Sequence, residues 1–374
     1  MNRIRLIEIS LSIAMIFGII MSINLWNSHR IIPYCSNLSL LKNNGKLISD
    51  VGTNLLLIVL SLNLFFRQKI VKLLIIALTI TLFSVDLNRL QPWVYIYLIL
   101  FLLCFIKEEN TFSILSTVLF VSIYVWSGLH KINTNFLNET YFPLIKSFGL
   151  SSDNLISKQS WIGYFIPITE IILGIGLVFI KTRKNAVYSI ALFHLIIIFY
   201  EFFFKDNKNS IIVPWNLEMI ILSFLIFFKN NLSISHIYQF KKFDKLVLAF
   251  VIAVVSVFPF FNFFNLWDDY MSFSLYSAKN KLFYIAVSDR YLNKLDVSFN
   301  GCFLELDKNI SGGKVIDMNA YFLKNFNVPV YPEKRIFEEL KIYFCNIKIP
   351  STEITFLVYE RPLSNKTLIR LKCE

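Results

Sequence analysis

Along residues 1–267, apolar runs alternate with short polar turns, with runs near 6–26, 50–66, 70–84, 93–106, 111–129, 161–180, 186–204, 212–228 and 246–264. A helix that crosses hydrocarbon needs about 20 apolar residues, and each run approaches that length. The pattern predicts an all-α polytopic membrane bundle of about nine transmembrane helices. The second to fourth runs are short. One of them is therefore expected to re-enter, or the turn Arg67–Lys72 lets its lysines snorkel.

From residue 268 the pattern changes, with charges every few residues and no run long enough to cross a bilayer. Met271–Tyr276 and Leu282–Val287, separated by Ala278–Lys281, predict a hairpin. Pro332 and Glu333 followed by Phe337, Leu340, Ile342 and Tyr343 predict an amphipathic helix. Ile354–Tyr359 and Leu368–Leu371 alternate as strands do. The expected organisation is a transmembrane helical domain over 1–267 and a small soluble α+β domain over 268–374, with no internal repeat.

Composition agrees with a membrane setting. Hydrophobic residues make up 56% of the 374 and charged residues 17%, and mean hydropathy is +0.59. Soluble domains average roughly 45–50% apolar and about 25% charged. No small-residue cleavage site precedes Trp26, so the first run is expected to be a retained helix and not a leader.

The formal charge of +12 divides into +10 over residues 1–267 and +2 over residues 268–374. The basic residues sit in compact turns, at Arg3/Arg5, Arg67/Lys69/Lys72, Lys107, Lys181/Arg183/Lys184 and Lys229/Lys241/Lys242/Lys245. The alternate segments, around 27–49, 86–92, 130–160 and 205–211, are mostly longer and more dilute in Lys and Arg. This is a positive-inside distribution and not a nucleic-acid footprint. It predicts an inside N-terminus and, with an odd number of spans, an extracytoplasmic C-terminal domain. The lipid bilayer is the expected partner, and a bacterial inner membrane the expected location.

This topology places Cys35, Cys302, Cys345 and Cys373 outside and Cys104 in a span. A Cys302–Cys345 disulfide and isolated buried thiols are both open readings. The irregular spacing, with no CxxC, argues against a metal site.

Ionisable residues within spans are costly and mark function or helix pairing. Glu170 and His194 lie at similar depths in consecutive antiparallel runs and are expected to pair, either locking two helices or lining a cavity. Glu218, behind Pro214, Trp215 and Asn216, is a further candidate for that cavity. Asp86 and Arg89 are spaced for an i,i+3 ion pair. Trp93, Trp161, Trp215 and Trp267 fall near one interface, as an aromatic belt or as stacking surfaces for a ligand. Lys131 ends the run that carries Ser127, Gly128 and His130, and reads either as a base at the mouth of a helix or as a snorkelling interfacial lysine. With Asp86, Arg89, Glu139 and Asn216 it is expected to rim an amphipathic cavity above Glu170 and His194.

The segment Trp126–Asn133, with Phe136 behind it, resembles the small-Gly-x-Lys-Lys-hydrophobic-Asp motif of vitamin K-dependent γ-glutamyl carboxylase and its bacterial relatives, the horizontally transferred transmembrane domain proteins. These are similar, distantly, to the DoxX membrane proteins. Phe193-His194, Val213-Pro214-Trp215 with Met219, and Asp86 with Trp93 and Tyr97 resemble further segments of that family. The likeness extends over most of residues 1–267.

The resemblance implies that Lys131 occupies the position of the base in hydroquinone oxygenation, with His130 in place of the family's first lysine. It also implies a quinone or another isoprenoid as the bound molecule. The family's histidine after the aspartate has no counterpart in Gln91, Pro92 and Trp93, and the C-terminal part here is much shorter. Two functions are therefore expected in competition. One is a redox or lipid- or quinone-modifying enzyme with Lys131 as base and His130 beside it. The other is a non-catalytic envelope protein that presents residues 268–374 to a partner.

Overall fold

The computed structural model describes residues 3–36, 44–149, 160–204, 209–228, 240–304, 313–347, 349–360 and 367–373. Lys229 and residues 37–43, 150–159 and 205–208, parts of the expected loops, lie outside the described residues. The first two-thirds of the chain is helical: α1 (Arg3–Met21), α2 (Gly45–Phe65), α3 (Lys69–Val85), α4 (Pro92–Leu103), α5 (Glu109–Lys131), α6 (Phe165–Gly176), α7 (Ile180–Phe203), α8 (Ile212–Phe227) and α9 (Lys242–Ile252). Helix α9 continues through a π-turn at Ala253–Val257 into Phe258–Phe261. Helical segments thus cover every apolar run. Among the described residues, five stretches, Arg3–Met21, Gly45–Phe65, Glu109–Lys131, Ile180–Phe203 and Asp244–Phe264, are long and apolar enough to cross a membrane, and there are shorter apolar helices beside them.

Local chemistry sets several helix ends. Pro92 opens α4 at its first turn, where a missing N–H costs nothing. The Glu108 side chain accepts from the Thr111 N–H at 2.8 Å and caps α5. Asn133 then caps the turn after α5 by accepting from the Phe136 N–H at 2.9 Å.

The C-terminal region is a five-stranded antiparallel sheet in the order β2-β3-β1-β4-β5, with β1 Leu282–Val287, β2 Phe303–Leu304, β3 Lys314–Asp317, β4 Ile354–Glu360 and β5 Thr367–Leu371. Phe283 stacks on Phe337 and Phe356, so one sheet face packs on α11 (Lys334–Cys345), which follows α10 (Met318–Phe326). The buried face of α11 is Ile336, Phe337, Leu340 and Phe344, the helical spacing that gives an amphipathic helix.

Four expectations are corrected. Met271–Tyr276 is not a strand: Phe273 and Tyr276 have φ of 59° and 54°, which no strand accommodates. The disulfide joins Cys345 to Cys373, with Cα atoms 5.6 Å apart, and Cys302 is a buried free thiol. Helix α11 ends at Cys345, and β5 returns Cys373 beside it. Lys72 does not snorkel, because its Nζ donates to Glu8 Oε1 at 2.7 Å and to the Cys104 carbonyl at 2.7 Å inside the bundle. Trp93 is buried among helices instead of sitting in a belt, its ring packed against Gly18, Trp26 and Tyr97. Trp161, by contrast, is 60% exposed.

Peptide mass mapping under non-reducing conditions should recover a Cys345–Cys373 cross-linked peptide, with Cys302 alkylated only after unfolding. Replacing Cys345 by serine should destabilise the C-terminal region by about 2–4 kcal/mol, measurable by denaturant unfolding.

Candidate functional site

Helices α5 and α6 approach closely because two glycines permit it. A Cβ on Gly128 would lie 2.6 Å from the Pro167 carbonyl oxygen, and one on Gly174 would lie 2.9 Å from the Tyr124 Cβ. Small residues at such a crossing let backbones meet and bring opposing polar side chains within bonding range. One helical turn from Gly128, Lys131 meets Glu170. Its Nζ donates to both Glu170 oxygens at 2.8 Å and to Ser127 Oγ at 2.7 Å. An ammonium carries three donor protons, and all three are engaged. Both side chains are buried.

The expected Glu170–His194 pair is therefore corrected. Glu170 turns toward α5, whereas His194 on α7 turns toward α8. Tyr124 Oη lies 2.8 Å from His194 Nε2, and Asn216 Oδ1 lies 2.5 Å from Nδ1. Asn216 Nδ2 donates to the Ile212 carbonyl at 2.6 Å, which leaves its oxygen as the acceptor. His194 accordingly carries its proton on Nδ1 and accepts from Tyr124. Glu170 is within electrostatic reach of Tyr124, and Lys131 of His194. These residues form one polar array at the contact of four helices.

His130 extends the array outward. Its ring is fully buried, stacked on Trp126 and against Phe263. Its Nδ1 lies 3.5 Å from Lys279 Nζ. Lys279 comes from the loop before β1, and donates to Asn262 Oδ1 at 2.5 Å. Asn262 donates in turn to Asp269 Oδ1 at 2.8 Å. The Asp269 N–H donates to Glu333 Oε1 at 3.0 Å, and Lys281 reaches Glu333 Oε2 at 3.2 Å. Burial lowers Lys279 to about 8, against the opposing pull of Asp269. Burial, reinforced by the charge of Asp269, raises Glu333 to about 7. Asp269 is raised by its own burial.

The other predicted residues sit elsewhere. Asp86 and Arg89 do not pair with each other. Arg30 NH1 bonds Asp86 at 2.5 Å, and Asp86 Oδ1 accepts from Asn88 Nδ2 at 3.0 Å. Arg89 is fully buried and donates to the carbonyls of Leu25, Leu82 and Trp26 and to Ser49 Oγ. This knot ties the chain after α1 to α2 and α3, and its bonds do not reach Lys131. Glu218 on α8 lies beside Tyr97 and Ser10, on the α1 and α4 side. Among the described residues its Oε1 has no hydrogen-bond partner, and neither does Trp93 Nε1 or Trp215 Nε1.

Sequence reading missed Lys279, because the 278–281 segment reads as a hairpin turn, and Asn262 within the last apolar run, and it took Glu333 only as the start of a helix. It also missed Glu8, whose signal was present as a lone carboxylate in an apolar run. Glu8 pairs with Lys72 and with Arg5 at 3.2 Å.

Compared with protein-family models, curated proteins and solved structures, the chain finds no match.

Removing one partner of a buried ion pair leaves an uncompensated charge, at a cost of about 3–5 kcal/mol. Lys131→Met and Glu170→Leu should each lower thermal stability in detergent strongly, and the double variant should recover much of the loss. The outer cluster should respond to pH. The unfolded chain releases the Glu333 proton near 4.5 and the folded one near 7. The folded state therefore binds more protons in that window, and its stability falls as pH rises through it. Lys279 does the reverse between about 8 and 10.5, where the unfolded state holds the extra proton and stability rises with pH. Glu333→Gln should reduce the decline between 4.5 and 7 in denaturant unfolding of the C-terminal region, leaving the part that the raised Asp269 contributes.

Proposed function

We propose that this multi-pass membrane protein crosses a bacterial inner membrane nine times, with the N-terminus inside and residues 268–374 outside, as an extracytoplasmic α+β unit. Its intramembrane site binds an amphipathic quinone- or isoprenoid-like molecule at the outer leaflet, with Lys131 as the proton-handling group. The orientation is supported by the basic turns, and by the Cys345–Cys373 disulfide, which is consistent with an oxidising compartment.

The observation that carries the functional reading is the Lys131–Glu170 pair beside the hydrogen-bonded group of Tyr124, His194 and Asn216. Ionisable groups at membrane depth are expensive, and their default reading is a substrate or proton site. In the paired state Lys131 has no free lone pair. A proton passed from Nζ to Glu170 leaves an amine that accepts a proton from a bound hydroxyl, with Ser127 holding the amine in place. Glu170 is the positioning and proton-accepting partner, and His130 borders the site on its outer side. The resemblance of Trp126–Asn133 to the carboxylase motif points to the same lysine. Separate presentation of residues 268–374 has less support, because that region is bonded to the bundle through Asn133 to the Ser277 carbonyl at 3.0 Å, Gln91 to the Pro329 carbonyl at 3.2 Å and the Tyr331 N–H to Asn88 at 3.1 Å.

Native mass spectrometry of the detergent-purified protein should show a co-purifying quinone or isoprenoid in the wild type that is lost in Lys131→Ala. Only bulk phospholipid on both would refute the reading. Retention by Lys131→Arg would show that charge suffices for binding, leaving proton transfer to be read from turnover.

A further inference from the structure

The loop that delivers Lys279 is held by the membrane bundle. Asn133 Nδ2, just past the end of α5, bridges the His130 carbonyl at 2.8 Å and the Ser277 carbonyl at 3.0 Å. Ser274 and Ser277 bond each other at 2.9 Å, and the Lys279 N–H donates to Ser277 Oγ at 3.2 Å. The lysine stem is thus fixed at its base, while its head is fixed by Asn262 Oδ1 and by the Phe263 ring, whose centroid lies 4.4 Å from Nζ.

A lysine head has donors and no acceptor when charged, so it can approach a neutral imidazole only at an unprotonated nitrogen. At His130 that nitrogen is Nδ1. The ring proton therefore sits on Nε2. Among the described residues Nε2 is buried with no partner at full hydrogen-bond geometry, and the Ser272 backbone supplies the ring at most a weak hydrogen bond. A buried N–H without a well-placed acceptor is destabilising, and such a group is explained when a bound molecule supplies a better one.

We infer that Lys279 is a positioning residue of the intramembrane site: it fixes His130 as the Nε2–H tautomer, which then offers a single donor to an oxygen atom of a bound molecule. The ligand class is one that presents a hydrogen-bond acceptor oxygen, a carbonyl or a deprotonated hydroxyl, at the end of an apolar body. The ligand half rests on the function proposed above; the tautomer does not. In consequence the extracytoplasmic region completes the site, and His130 acts as a donor and not as a base.

The test is ¹⁵N NMR of the full chain with labelled histidine, reconstituted in nanodiscs, with the His130 signals assigned by His130→Gln. The wild type should show an unprotonated Nδ1 and a protonated Nε2, and Lys279→Arg should preserve this pattern. Lys279→Met should lose it, giving the other tautomer or a mixture, while His194 keeps its Nδ1–H signal as a control for folding. A protonated Nδ1 on wild-type His130, or an unchanged tautomer in a folded Lys279→Met variant, would overturn the inference. Decylbenzoquinone, added as a carbonyl probe, should shift Nε2 in the wild type and in Lys279→Arg but not in Lys279→Met. An Nε2 that the probe leaves unmoved would overturn the ligand half. These outcomes are read separately from co-purification at Lys131, so one proposal can fail while the other stands.

Discussion

Charge inside a low-dielectric slab must be neutralised locally, and the bundle is organised by the places where this happens. Lys131 and Glu170 neutralise each other at one end of α5 and α6, while Glu8 does the same with Lys72 and Arg5 between α1 and α3. A third knot, Arg30, Asp86 and the carbonyls that surround Arg89, clamps the chain after α1 to the adjoining helices. Each knot joins separate helices, so each fixes a relative placement that apolar packing alone would leave loose. Hydrophobic surface drives no helix pairing in lipid, and close packing and polar satisfaction take over that role.

The elements were far more legible than the pairings. Every apolar run became helical, and the strands at 354–360 and 367–371 followed their alternation, because period is a local property. Partners are not local. Similar depth suggested Glu170 with His194, but the rotation of α6 about its axis decides the partner, and that rotation is set by Gly128 and Gly174 meeting Pro167 and Tyr124. Asp86 and Arg89 have suitable spacing, yet the guanidinium is taken up by the Leu25, Trp26 and Leu82 carbonyls near the ends of the helix turn at Ile23–Trp26 and of α3, while Asp86 is occupied by Arg30. Lys131 was found because its sequence surroundings are unusual. Lys279 was not, because a lysine in a turn before a strand looks like any solvated charge, and only the tertiary fold carries it to His130.

Polar residues extend from the C-terminal sheet region to the middle of the bundle. Glu333, Asp269, Asn262 and Lys279 belong to the outer part, His130 marks the boundary, and Lys131, Glu170, Tyr124, His194 and Asn216 lie inward. Division of the chain at residue 267 describes composition well and describes the site poorly, since Asn262 and Asp269 bond each other across that line. The α+β region is better understood as a cap whose underside contributes side chains to the helices.

Phe273, Tyr276 and Ala278 all hold positive φ, at 59°, 54° and 52°, within six residues of the loop that carries Lys279. Non-glycine residues in that region cost about 1–2 kcal/mol each, so the loop does not take this shape on its own. Asn133 holds it, and Asn133 is in place only once α5 is. Synthesis runs in the same order, because residues 273–279 emerge after every apolar helix has been made. The cluster is therefore a latch whose shape depends on the bundle beneath it, and Lys279 reaches the imidazole of His130 only when both are in place.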